Sequence, residues 1–157
     1  MPFMGASAWS DVAQTFLASS GGPVEFNVEL YDTDAIHDNA TNPHFFTVPA
    51  DGAAKWAGFA RFGITATSAD DVVTLLWRVN DNFDVITQEV ALVTGVLQYV
   101  HFAFPPMTLN AGDTVELIVQ NNEDVTIGSA FSGDNPAAPY GPPNSDSAAA
   151  VVWRVGV

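Results

Sequence analysis

No cysteine occurs in the 157 residues, which excludes a disulfide framework, thiolate chemistry and any cysteine-based zinc site. Positive charge is almost as scarce. Lys55, Arg61, Arg78 and Arg154 stand against 18 aspartates and glutamates, a formal net charge of −14. Affinity for nucleic acid or an anionic membrane rests largely on Lys and Arg beside phosphate, so neither is expected as a partner. No run reaches the roughly 20 apolar residues of a membrane-spanning helix, and residues 1–20 lack the basic start and continuous apolar stretch of a signal peptide. The expectation is a soluble product of the cytoplasm, held together by packing or by association of copies. The acidity also suits salty surroundings, where screening relieves repulsion among carboxylates.

What is present reads as strand. With 48% hydrophobic residues the chain can build one sizeable core, so a single domain is expected over 9–157, preceded by a flexible N-terminal arm over 1–8. Residues 24–31 alternate, with Val24, Phe26, Val28 and Leu30 on one face, the period of a half-buried strand. Further strands are predicted over 44–48 and 54–67, the second containing Gly58 and Gly63. Segments 72–80 and 85–93 flank the turn residues Asp81, Asn82 and Asp84 and form a hairpin. A strand over 97–104 ends at Pro105-Pro106, and others cover 114–120 and 149–157. Residues 9–18 fit either a short helix capped by Ser10 or a strand, and the strand is preferred. Short strands at regular spacing, with no long amphipathic helix, predict an all-β fold, an antiparallel sandwich of jelly-roll type.

Segment 128–147 carries prolines at 136, 139, 142 and 143 and is predicted to be an exposed loop. Long loops in compact domains are often functional. Phe131 and Tyr140 offer aromatic contact, and with Asp134, Asn135 and Asn144 they are the candidate binding-loop residues. The alternative is a solvated insertion whose rings pack on their own sheet.

Candidate chemistry is sparse. Asp32, Asp34, His37 and Asp38 lie close in sequence and offer ligands for a cation such as calcium. The competing and preferred reading is that Asp side chains hold the loop by accepting from backbone N–H groups, and the spacing lacks the glycine and distal glutamate of an EF-hand. His44 and His101 read as sheet residues. No cupin metal pattern, nucleophile elbow, metalloprotease motif or phosphate loop occurs, so neither an enzyme nor a cofactor is expected. Trp9, Trp56, Trp77 and Trp153 each fall in or beside a strand and are assigned to core or subunit contact.

Taken together, YDTDAIHDNATNP followed by FFTVPADG, the turn in MTLNAGDTVELIV led by Ala111-Gly112-Asp113, and the closing AAAVVWRVGV resemble small jelly-roll domains of bacteriophage virion proteins. Those belong to the complement-component and tumour-necrosis-factor-like group. The resemblance runs in order along nearly the whole chain. It implies a homotrimer on the virion surface, seated on the major capsid protein or another virion protein. The implied role is that of a non-enzymatic head decoration or head fibre protein, or of a tail-fibre tip acting as an adhesin for a host surface glycan or protein. A chain that opens with Met1 and carries no shaft repeats favours the decoration role. A threefold ring joins two different patches of each copy, and Phe59, Phe62, Tyr99, Phe102 and Phe104 are the interface candidates.

Overall fold

A computed structural model describes residues 4–81, 83–128 and 148–155. Among them there are strands and turns and no helix. The strands are β1 (Gly5–Trp9), β2 (Gln14–Phe16), β3 (Gly22–Pro23), β4 (Val28–Asp32), β5 (His37–Asp38), β6 (Asn42–Thr47), β7 (Ala54–Ala66), β8 (Asp71–Val79), β9 (Phe83–Leu92), β10 (Gln98–Leu109), β11 (Thr114–Gln120), β12 (Val125–Ile127) and β13 (Ala149–Arg154). They form two antiparallel sheets, one of seven strands and one of six, as the alternation predicts for a jelly-roll sandwich.

The thirteen-residue β7 organises the larger sheet. Along one edge it pairs with β10, from Leu109 opposite Ala54 to Gln98 opposite Ile64. Along the other edge β13 and β12 lie end to end, β13 over 56–61 and β12 over 64–66. β1 then pairs with β13 and β4 with β1, while β2 pairs with β12. In the smaller sheet β11 is central, paired with β8 on one side and with β6 and β3 on the other, and β9 closes the far edge on β8.

The inward faces meet in one core. β7 contributes Trp56, Ala60, Phe62 and Ile64, β10 contributes Val100, Phe102 and Phe104, and β8 and β11 answer with Val73, Leu75, Trp77, Val115, Leu117 and Val119. The two large indoles are fully buried and satisfied: Trp56 Nε1 donates to the Gly52 carbonyl at 2.8 Å and Trp77 Nε1 to that of Phe102 at 3.3 Å. Gly58 lies where a Cβ would come within 3.0 Å of the Val151 carbonyl and 3.3 Å of Phe104; the close approach of β13 requires a residue without a side chain there.

Three expectations are corrected. Residues 4–8 are not a flexible arm: Met4, Ala6 and Ala8 are buried, and β1 is hydrogen-bonded on both edges. Pro105-Pro106 does not end its strand. β10 forms a backbone ladder with β7 alone among the described strands, and its register shifts between Phe104 and Met107, so two residues without N–H groups fit at an edge and the strand resumes to Leu109. Val24 and Phe26 are fully buried but precede β4, which begins at Val28.

Many carboxylates fasten loops at the ends of the sandwich. The buried Asp71 accepts from the amides of Val72, Asn122 and Glu123 at 2.7, 3.0 and 3.1 Å. Burial opposes its charge, yet these donors outweigh it and hold the carboxyl below its ordinary range. A depressed carboxyl adds stability above its unfolded pKa and loses it as pH falls through the folded value. Asp71→Ala should therefore cost about 1–3 kcal/mol in chemical denaturation at neutral pH, and the difference from the parent should shrink on acidification. An equal cost at acid and neutral pH would show that the charge is not what holds this loop.

Candidate functional site

The outer face of the larger sheet is the feature most unlike the rest of the surface. Because strand residues alternate, inward Trp56, Ala60 and Phe62 leave Lys55, Phe59 and Arg61 pointing outward from β7. Pairing extends these into rows. One runs Tyr31, Ser7, Val151, Phe59, Ala103 from β4 to β10; the next runs Trp9, Ala149, Arg61, His101. Trp153 stands beyond Val151 on β13. Neither row contains a carboxylate, although the chain has 18 of them.

The face is apolar and partly open to water. Tyr99 is 56% exposed and Tyr31 42%, while Trp9, Phe59, Val151 and Trp153 are half-buried. Partial burial raises the Tyr31 phenol above its usual value. The Phe59 ring lies 5.6 Å from that of His101, tilted by 39°. A groove of about 420 Å³ runs between Arg61, Phe62, Tyr99, Val100 and His101. Trp9 Nε1 is buried without a hydrogen-bond partner, and it is unusual in this among the described residues.

Of the five aromatic interface candidates, Phe59 and Tyr99 lie on this face. Phe62, Phe102 and Phe104 do not: they are 1%, 3% and 1% exposed in the chain's own core, where Phe102 and Phe104 pack on Trp77 with ring centroids 6.3 and 5.8 Å away. The correction follows from parity. Phe62 is three residues from Phe59, and Phe102 and Phe104 are odd steps from Tyr99, so a strand turns them to the opposite side. Trp9, Arg61, His101, Val151 and Trp153 belong to the face and were missed as a group. The signal that finds them is the same parity, applied across strands once the inward set of β7 is known.

The loop candidates Phe131, Asp134, Asn135, Tyr140 and Asn144 lie outside the described residues. The flanking residues are placed. The Gly128 amide donates to Gly63 at 2.8 Å and Ala149 pairs with Arg61, so both anchors of the segment sit at mid-length on β7.

The proposed cation ligands do not converge. Asp32 accepts from the amides of Asp34, Ile36 and His37 at 3.1, 2.9 and 2.8 Å, and Asp38 from those of Ala40 and Thr41 at 3.1 and 2.9 Å. The Asp34 carboxylate accepts from the Thr33 hydroxyl at 2.6 Å. His37 is turned into the core, stacked on Phe46 at 4.9 Å, with Nδ1 2.8 Å from the Phe45 carbonyl and Nε2 2.6 Å from that of Phe26. The described residues hold no group of three or more His, Asp or Glu arranged for a metal ion. The alternative weighed from sequence, carboxylates bracing a loop, is what the geometry shows.

No protein-family model matches the sequence, and no match to it was found among curated proteins. Solved structures are similar in fold. The globular domain of zebrafish complement 1qA protein superposes with a TM-score of 0.61 at 14% identity, covering 99% of this chain and 98% of that one. Eiger TNF from S. frugiperda gives 0.59 at 10% identity, covering 100% and 96%. The chain therefore has the jelly-roll sandwich of the complement-component and tumour-necrosis-factor type. At these identities the likeness is one of fold.

Since Asp32 braces three amides rather than a cation, Asp32→Ala should lower stability by about 1–3 kcal/mol, and neither calcium nor a chelator should move the melting temperature of the parent protein. A calcium-dependent rise in melting temperature that is lost in the variant would contradict this.

Proposed function

We propose that this protein is a non-enzymatic structural component of a bacteriophage virion, made in the host cytoplasm and displayed as a homotrimer on the capsid surface. The observation that carries the assembly is the pair of aromatic rows without a carboxylate on the outer face of the larger sheet, in a chain of net charge −14. Like-charge repulsion would resist contact between copies almost anywhere else on so acidic a surface. Across this face apolar contact meets no such opposition.

The edge strand β10 supports a cyclic arrangement. Among the described strands β10 forms a backbone ladder only with β7, and an edge of twelve residues is a liability that packing against a neighbour removes. A face on one copy and an edge on the next are two different patches, the arrangement that closes a ring. Three copies are what the resemblance to virion domains of this fold implies. The capsid as the seat rests on the same resemblance, carried by residues 31–43 and by the turn at 111–113.

Phe59→Asp and Tyr99→Asp should each break the trimer, with a loss of about 2 kcal/mol or more in association, while far-ultraviolet circular dichroism stays that of the parent. Phe62→Asp should instead unfold the chain. In sedimentation with undecorated phage shells, the parent should pellet at a fixed ratio to the capsid subunit and the two face variants should remain in solution. A trimer that ignores shells and binds host cells would replace decoration by adhesion; face variants that keep the mass of the parent would refute the interface.

A further inference from the structure

The core holds one imidazole in a setting that a single protonation state satisfies. His37 on β5 is 4% exposed, and its ring stacks on Phe46 at 4.9 Å with 26° between the planes. Nδ1 lies 2.8 Å from the Phe45 carbonyl oxygen and Nε2 2.6 Å from that of Phe26. A carbonyl oxygen only accepts, and a neutral imidazole has a single N–H to donate. In either neutral tautomer one ring nitrogen therefore turns its lone pair on a carbonyl at hydrogen-bond distance, a buried contact that repels and leaves that nitrogen unpaired. The imidazolium, a donor at both nitrogens, satisfies both carbonyls.

The ring closes a corner between three segments. Phe26 belongs to the stretch between β3 and β4, where the Val24 amide donates to Leu117 at 2.8 Å and the Phe26 amide to Pro43 at 2.7 Å. Phe45 lies on β6, which pairs with β5 through a register shift just after His37. The charged and titratable groups around the ring are few. Asp32 ends β4 and accepts from the His37 amide at 2.8 Å, Asp38 follows on β5, Glu25 beside Phe26 is exposed, and His44 on β6 has its ring 4.1 Å from that of Phe45. β11, paired with β6, carries Glu116 on the side away from Val115 and Phe46. Residues 21–54 contain no lysine or arginine, so the charges on the surrounding segments favour a cation at this position.

We propose that His37 is held as an imidazolium and acts as a proton-dependent strap, binding both carbonyls while charged and releasing one of them when a proton leaves. With both nitrogens donating, no lone pair remains for a metal ion, in keeping with the divergence of Asp32 and Asp38. The folded chain favours the protonated ring, so the strap is complete on the acid side of neutrality and weakens as pH rises. That sign is opposite to the one for Asp71, whose contribution is lost as pH falls. The segment set free is 24–27, which leads into β4 and so to Tyr31 on the aromatic face.

Nitrogen-15 NMR of the ring reads its state directly, with His44→Gln and His101→Gln telling the three histidines apart. At about pH 7 both His37 nitrogens should carry the shift of a protonated nitrogen. Hydrogen-exchange protection of the Phe26 amide, corrected for intrinsic rate and taken relative to the amides of β7, should fall about tenfold or more from about pH 6 to about pH 9. His37→Phe keeps a ring against Phe46 and removes both donors, so protection at Phe26 should be low and level across the same range. Should that variant not fold, the two measurements on the parent decide alone. One protonated and one bare nitrogen at neutral pH, or Phe26 protection that does not fall as the solution turns alkaline, would overturn the proposal.

Discussion

The structure depends on one constraint: the pairing of β7 along its whole length, with β10 on one edge and with β13 and β12 in series on the other. Because four strands share that register, the alternation of a single strand decides which residues of the entire sheet face the core. It sends Trp56, Phe62 and Ile64 inward and Phe59 and Arg61 outward, and it carries Trp9, Tyr31, Val151 and His101 onto the same exposed surface. The close contact at Gly58 lets β13 approach without displacing Phe104. Without disulfides, this pairing and the aromatic core beneath it hold the fold.

Acidity has two consequences in this architecture. Locally, aspartates act as fasteners: Asp32, Asp38, Asp71 and Asp113 each accept from backbone amides in the turns where strands reverse. Globally, the excess negative charge discourages close contact except where it is missing. The outer face of the larger sheet is such a place, and it is aromatic. An acidic loop-bracing chemistry and an aromatic face whose charged members are Lys55 and Arg61 thus sit on different parts of one acidic chain.

The fold was legible where strands alternate cleanly. Segment 114–120 was recoverable because apolar residues recur at every second position and 54–67 because it is rich in aromatic and small residues, and the sandwich followed from the number and spacing of such strands. Less was legible where tertiary pairing overrides local pattern. The run Gly5–Trp9 is short and rich in small residues and reads as a tail, yet it is ordered by β4 and β13 on its two sides. The prolines at 105 and 106 read as a stop because sequence does not reveal that β10 is an edge strand. The interface candidates went wrong for a further reason: aromatics near one another in sequence were taken as one surface, whereas a strand assigns Phe59 and Phe62 to opposite sides. Glu116 looked like an ordinary outward position between Val115 and Leu117, because nothing local announces that its side of β11 is also buried.

The central claim is that the aromatic outer face of the larger sheet joins copies of this chain, and sedimentation equilibrium of the unmodified protein tests it most directly. The account predicts one species of three times the 16.6 kDa chain mass, stable to added salt because apolar contact rather than charge holds it. A species of one chain mass at micromolar concentration would contradict it and leave the face unexplained.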